Sequence, residues 1–133
     1  MLRNKGRLAL IEATGKNQIA VVEHLLQKGA DINCKDSIFE GTALIWATLR
    51  GHGKTVKLLL DNGADINAAE KKNGMSALIL AAVQGQTDTI GMLLEKGADF
   101  NSRDKDGRTA LMWAAHHGHT GVIEILIDRG ADL

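Results

Sequence analysis

The triplet Gly-Ala-Asp, followed each time by an apolar residue, opens at Gly29, Gly63, Gly97 and Gly130, in steps of 34, 34 and 33 residues. A near-constant period of this size dictates a solenoid. Each unit is too small to bury its own apolar face and does so against its neighbours, so the core runs between units rather than at one centre. A stack of this kind acts by offering a long surface.

Aligning the units on the triplet reveals a common grammar. A first apolar helical stretch reads Leu8-Ala9-Leu10-Ile11, Thr42-Ala43-Leu44-Ile45, Ser76-Ala77-Leu78-Ile79 and Thr109-Ala110-Leu111-Met112 in turn. Thr42, Ser76 and Thr109 are placed to cap a helix through their hydroxyl oxygens. Ala47, Ala81 and Ala114 are small enough to let two helices approach closely. Gly51, Gly85 and Gly118 supply the left-handed residue that ends the first helix, and Asn17 takes that place in unit 1. The pairs Leu25-Leu26, Leu59-Leu60, Leu93-Leu94 and Leu126-Ile127 form the inner seam of a second helix, which Gly29, Gly63, Gly97 and Gly130 stop. Polar segments at 35–40, 68–75 and 102–108 read as hairpin-like fingers between units, with Asn73-Gly74 and Asp106-Gly107 as tight-turn pairs. Gly91 falls inside a second helix, where it costs roughly 1 kcal/mol relative to Ala.

Composition narrows the class. Sixteen Lys and Arg balance sixteen Asp and Glu, so the basic footprint of a nucleic-acid binder is absent. A hydrophobic share of 44% argues against disorder. No apolar run is long enough to span a bilayer, and Leu8 to Ile11 is too short for a signal-peptide core. The single cysteine, Cys34, cannot form an internal disulfide. These features fit a reducing cytosol, with no membrane and no nucleic-acid partner.

The stretches Asp106-Gly107-Arg108-Thr109-Ala110-Leu111, Ala114-Ala115, Gly118-His119 and Leu93-Leu94-Glu95-Lys96-Gly97-Ala98-Asp99 resemble the ankyrin repeat. The likeness covers nearly the whole chain from about Gly6, and its repeat usage is similar to bacterial members. It implies an all-α repeat solenoid of helix-turn-helix units joined by β-hairpin-like fingers, with a concave binding face. The chain is then one domain of four repeats, at about 6–35, 36–69, 70–103 and 104–133. The family's Thr-Pro-Leu-His wording is altered here: Ala9, Ala43, Ala77 and Ala110 replace the Pro, and Ile11, Ile45, Ile79 and Met112 replace the His. Apolar contact is expected in place of the usual side-chain bonds. Leu8 stands where unit 1 would have its capping Thr, as befits a terminal repeat.

The resemblance also implies a non-catalytic module that binds another protein, of unknown identity, with no cofactor. Its contact positions map onto Trp46, Leu49 and Arg50; Leu80, Val83 and Gln84; Trp113, His116 and His117; and, on the fingers, Phe39, Lys72, Met75, Arg103, Lys105 and Arg108. Trp46, Leu80 and Trp113 share one repeat position, so stacking would align them as an apolar stripe of the kind that forms binding hot spots. The alternative is that each indole lies against the base of its own finger. Phe39 is either an exposed anchor or tucked into an adjacent unit.

Other chemistry is weaker. His116, His117 and His119 invite a zinc site and a metal-dependent hydrolase, but Gly118 ends the helix between them and no carboxylate or thiol lies nearby in sequence to complete a set. Cys34 reads as a buried thiol packed under its finger. Asn33, Asn67 and Asn101 resemble hydroxylation sites of eukaryotic ankyrin proteins, although a turn residue bonding its own backbone is the simpler reading. The chain is expected to be a monomer. The alternative is a structural, self-assembling piece of a longer scaffold, which would associate through the uncapped fourth unit.

Overall fold

The computed structural model describes residues 2–133, with side chains from Ala9 onward. The helices are α1 (Leu2–Gly15), α2 (Ile19–Gln27), α3 (Ala43–Leu49), α4 (Gly53–Asp61), α5 (Ala77–Gln84), α6 (Thr87–Glu95), α7 (Ala110–His117) and α8 (Thr120–Asp128). Connections of a few residues fold each pair back on itself. The odd-numbered helices pack in the order α1, α3, α5, α7, and the even-numbered helices α2, α4, α6, α8 form a second layer behind them. The chain is therefore an all-α repeat solenoid. No helix among the described residues is long and apolar enough to cross a membrane.

Helix boundaries follow local chemistry. The hydroxyls of Thr42, Ser76 and Thr109 accept the backbone N–H of Ile45, Ile79 and Met112 at 3.3–3.4 Å, satisfying donors that a helix start leaves orphaned. Asn17, Gly51, Gly85 and Gly118 all adopt left-handed φ, between 57° and 72°. At Gly85 the constraint is doubled, because a Cβ there would lie 2.6 Å from the His119 ring. Position 8 carries no capping hydroxyl, and α1 runs on through it to Leu2; the Leu8 side chain lies outside the described residues.

Two ladders tie one unit to the next. His52 and His119 place Nε2 at 3.1 Å and 2.9 Å from the carbonyls of Gly15 and Val83, and Gln86 Nε2 donates to the Thr48 carbonyl at 3.1 Å. His119 therefore serves the joint between units. Asn33 Oδ1 accepts the Asp65 N–H at 2.8 Å, and Asn67 Oδ1 accepts that of Asp99 at 3.1 Å. The asparagine carboxamides thus bond the neighbouring unit's backbone rather than their own. The bond within each turn is made instead by Asp31, Asp65 and Asp99, whose carboxylates accept the N–H of Asn33, Asn67 and Asn101.

The core lies between units, with Leu10, Leu44, Leu59, Leu78, Leu93 and Leu126 almost wholly buried. Cys34 is buried too. The last unit is covered less than the units before it. Ile45 and Ile79 are 1% and 0% exposed, whereas Met112 at the same position is 49% exposed. Ile127 is likewise exposed, because among the described residues no unit packs on the far side of unit 4.

Candidate functional site

Each finger is built around one carboxylate. Asp36 accepts the N–H of Ile38, Phe39 and Gly41 at 2.9, 2.6 and 3.0 Å. Asp104 accepts those of Asp106 and Arg108, both at 2.9 Å. Glu70 does the same for Asn73 and Met75. Fingers 2 and 3 turn through Gly74 and Gly107 at φ 70° and 78°, whereas finger 1 places Glu40 there, at φ 53°. The tips are then linked by backbone: Lys71 N–H donates to the Phe39 carbonyl at 2.8 Å, and Lys105 N–H to that of Asn73 at 2.9 Å. A salt bridge from Lys71 to Glu40 at 3.1 Å joins the first two tips.

The same carboxylates hold the tryptophans. Trp46 Nε1 donates to Asp36 Oδ2 and Trp113 Nε1 to Asp104 Oδ2, each at 2.7 Å. Burial pushes both carboxyls up, but the bonds they accept outweigh it. Asp36 is held below the usual range by Trp46 and the N–H groups of Phe39, Ile38 and Gly41. Asp104 is held below it by the Arg108 N–H, Trp113, the Asp106 N–H and the Arg108 charge. Both side chains therefore stay ionised at neutral pH.

This arrangement corrects the expected apolar stripe. Each indole is bound to its own finger, and Leu80 between them is only 8% exposed. The leucine side chain has no N–H to offer the finger, and Leu80 is buried instead. Val83 is half-buried, as is Met75, whose N–H and carbonyl are both spent on Glu70. Phe39 does not tuck into a neighbouring unit. Its ring meets Trp46 edge-on at 5.6 Å and stays 39% exposed, while Ile38 at the tip is 82% exposed.

Two clusters emerge. In unit 2, Arg50 lies over the Trp46 ring at 5.9 Å, beside exposed Leu49 and Phe39. In unit 4, Arg108 lies over Trp113 at 5.0 Å, and His117 stacks on the same indole at 5.8 Å with a 12° interplanar angle. His116 sits edge-on to both rings. A cup of about 200 Å³ opens between Arg108, Met112, Trp113 and His116. Gln84, between the clusters, donates to the Leu49 carbonyl at 3.0 Å. Lys72, Arg103 and Lys105 are exposed, Arg103 reaching the Gly107 carbonyl at 3.4 Å.

The histidines are engaged with one another, with Trp113 and, through His119, with the Val83 carbonyl. Among the described residues no group of three or more His, Cys, Asp or Glu side chains is arranged to hold a metal. The structural role of the finger carboxylates Asp36, Glu70 and Asp104 goes beyond what the polar character of segments 35–40, 68–75 and 102–108 implies. Their recurrence at the start of every finger, nine or ten residues before Trp46, Leu80 and Trp113, was the signal of a structural post.

A search of curated proteins returns no match. A family model described as ankyrin repeats (3 copies) matches residues 10–104 and again 44–133. Repeats of this family commonly mediate protein–protein interaction and are generally not enzymes. With paired helices, capped starts and glycine stops recurring in phase through the matched residues, the chain belongs to the ankyrin repeat family.

Proposed function

We propose that this chain is a non-catalytic recognition module that binds a partner protein through its finger tips and the adjoining edge of the odd-numbered helices, the concave face of the stack. The observation that carries this reading is the unit 2 patch. Ile38, Phe39 and Leu49 are exposed around Trp46, with the Arg50 guanidinium on the indole. Aromatic and Arg side chains ringed by apolar contacts are what binding hot spots are made of. The patch is also preorganised: Asp36 locks the indole and Lys71 holds the Phe39 backbone. Little entropy is then lost on association. Val83, Gln84, Trp113, His116, His117, Lys72, Met75, Arg103, Lys105 and Arg108 border the same side and complete the proposed contact surface, within repeats bounded at about 36, 70 and 104.

Ile38→Asp combined with Leu49→Asp tests the reading, since both side chains point outward and the core is spared. Wild type should retain a cross-linked partner from a lysate of the source cells, and the variant should lose it with its melting temperature unchanged. Equal retention by a folded variant would remove finger 1 from the interface.

A second reading has its own observation. The open side of unit 4 holds a groove of about 730 Å³ lined by Phe100, Leu111, Met112, Ile123 and Ile127 among others. In unit 3 the equivalent surface is covered by unit 4, so the groove fits another helix pair of the same kind. Sedimentation across a concentration series decides whether copies of the chain associate there; a strict monomer would exclude it.

A further inference from the structure

The chain is formally neutral, yet its charge is sorted by face. The even-numbered helices with the turns that follow them (19–33, 53–67, 87–101 and 120–133) carry ten carboxylates against five Lys and Arg. The first-helix and finger segments (9–18, 34–52, 68–86 and 102–119) carry eight Lys and Arg against six carboxylates. Five of those six are already committed. Asp36, Glu70 and Asp104 accept backbone N–H groups, and Glu40 and Glu12 pair with Lys71 and Lys16. Most of the cations facing the same way are not: among the described residues, Lys35, Arg50, Lys72, Arg103, Lys105 and Arg108 make no ion pair, six of the eight, whereas three of the five on the other face, Lys57, Lys96 and Arg129, do.

From this we infer that the partner surface, on the reading proposed above, is an acidic protein segment in extended form, with carboxylates seated on Arg50 and Arg108. Both guanidiniums stand over an indole whose N–H is turned away to a carboxylate. Each is oriented by the ring and keeps its donors for an incoming acid. Each also has an apolar neighbour, Leu49 in unit 2 and Met112 in unit 4, so an acidic residue beside an apolar one fits either place. The helices bearing the clusters, α3 and α7, are separated by α5. Interaxial distances of 8–10 Å put them about 16–20 Å apart, which an extended chain spans in about five or six residues. A polyphosphate backbone fits less well, because net neutrality and the acidic opposite face remove long-range attraction for it.

The test uses a fluorescein-labelled twelve-residue synthetic peptide with two Glu-Leu pairs six residues apart in a Gly/Ser/Glu background. A counterpart has every Glu changed to Gln, and a labelled single-stranded oligonucleotide serves as the alternative polyanion. Binding is read by fluorescence anisotropy at low and physiological salt. The acidic peptide should bind wild type at least tenfold more tightly than the Gln peptide, more weakly at the higher salt. Arg50→Gln with Arg108→Gln should cost at least tenfold with an unchanged melting temperature. Equal binding of the two peptides, no binding of either, an unaffected double variant, or tighter binding of the oligonucleotide would each overturn the inference. The recognition reading is judged separately. A captured partner lost by Ile38→Asp/Leu49→Asp yet kept by Arg50→Gln/Arg108→Gln would leave the module standing and reject only the acidic chemistry.

Discussion

Units 2 and 4 carry the same lock, a finger carboxylate 2.7 Å from an indole N–H with an arginine on the ring, and set it in different surroundings. In unit 2 the lock lies between packed neighbours. Asp36 holds three backbone N–H groups besides the indole, and Phe39 closes against the ring. In unit 4 Asp104 holds two, and the ring is flanked by His116 and His117, beside an open side. Unit 3, between them, has Glu70 and Leu80 and no such bond. The tryptophans therefore act first as posts that fix a finger to its helix, and only their outer faces remain for a partner.

The largest effect expected from breaking this comparison is Asp36→Ala. Charged acceptors are worth about 1.5–3 kcal/mol per bond, and four donors would be left unmatched, partly offset by water at the finger's edge. A loss of about 3 kcal/mol in urea unfolding followed by tryptophan fluorescence is expected, against about 2 kcal/mol for Asp104→Ala. An equal or reversed order would show that the donor count does not set the strength of the lock.

Acid probes both locks at once. Their carboxyls are held below the ordinary value near 3.9, so ionisation favours the folded state. Their contribution is complete above the unfolded value and is lost as pH falls below about 4 toward the depressed folded values. Unfolding free energy measured from pH 6 to 2.5 should fall at the acid end, and the fall should shrink in Asp36→Asn. An unchanged acid limb in that variant would mean that other carboxylates drive it.

Two smaller substitutions separate finger 1 from the others. A Cβ at Gly41 would lie 3.2 Å from both Asp36 Oδ2 and Trp46 Nε1. Gly41→Ala should therefore destabilise by about 1 kcal/mol through a stretched lock, and a neutral result would show that the lock can yield. Glu40 is forced into the left-handed region. Glu40→Gly removes strain of about 1–2 kcal/mol but adds unfolded-state freedom of about 0.4–1 kcal/mol and gives up an exposed pair with Lys71. A net gain of about 0.5 kcal/mol in thermal melts is expected. A loss above about 1 kcal/mol would assign the tip-to-tip ion pair more weight than exposed pairs normally carry.

Much of the fold was legible in the residues. The hydroxyls at Thr42, Ser76 and Thr109 and the left-handed stops at Asn17, Gly51, Gly85 and Gly118 stand where the aligned units placed them, because caps and φ preferences act within a few residues. Finger 1 was less legible: its Glu-Gly pair puts the glycine one place after the residue that takes positive φ. The candidate site was legible only as a set of repeat positions. Trp46, Leu80 and Trp113 are equivalent in sequence, yet two are bonded by their N–H and the third is buried, since only an indole can donate to the finger carboxylate.

The sequence alone determined the period, the helix starts and stops, and the family, all of which depend on contacts between residues close in the chain. The tertiary structure decided which way each side chain faces: Asp36, Glu70 and Asp104 turned inward, Leu80 covered, Met112 bare, and Arg50 and Arg108 laid over indoles without a salt bridge. Exposure depends on what the next unit covers, and a charge sum of zero says nothing of which face each charge occupies.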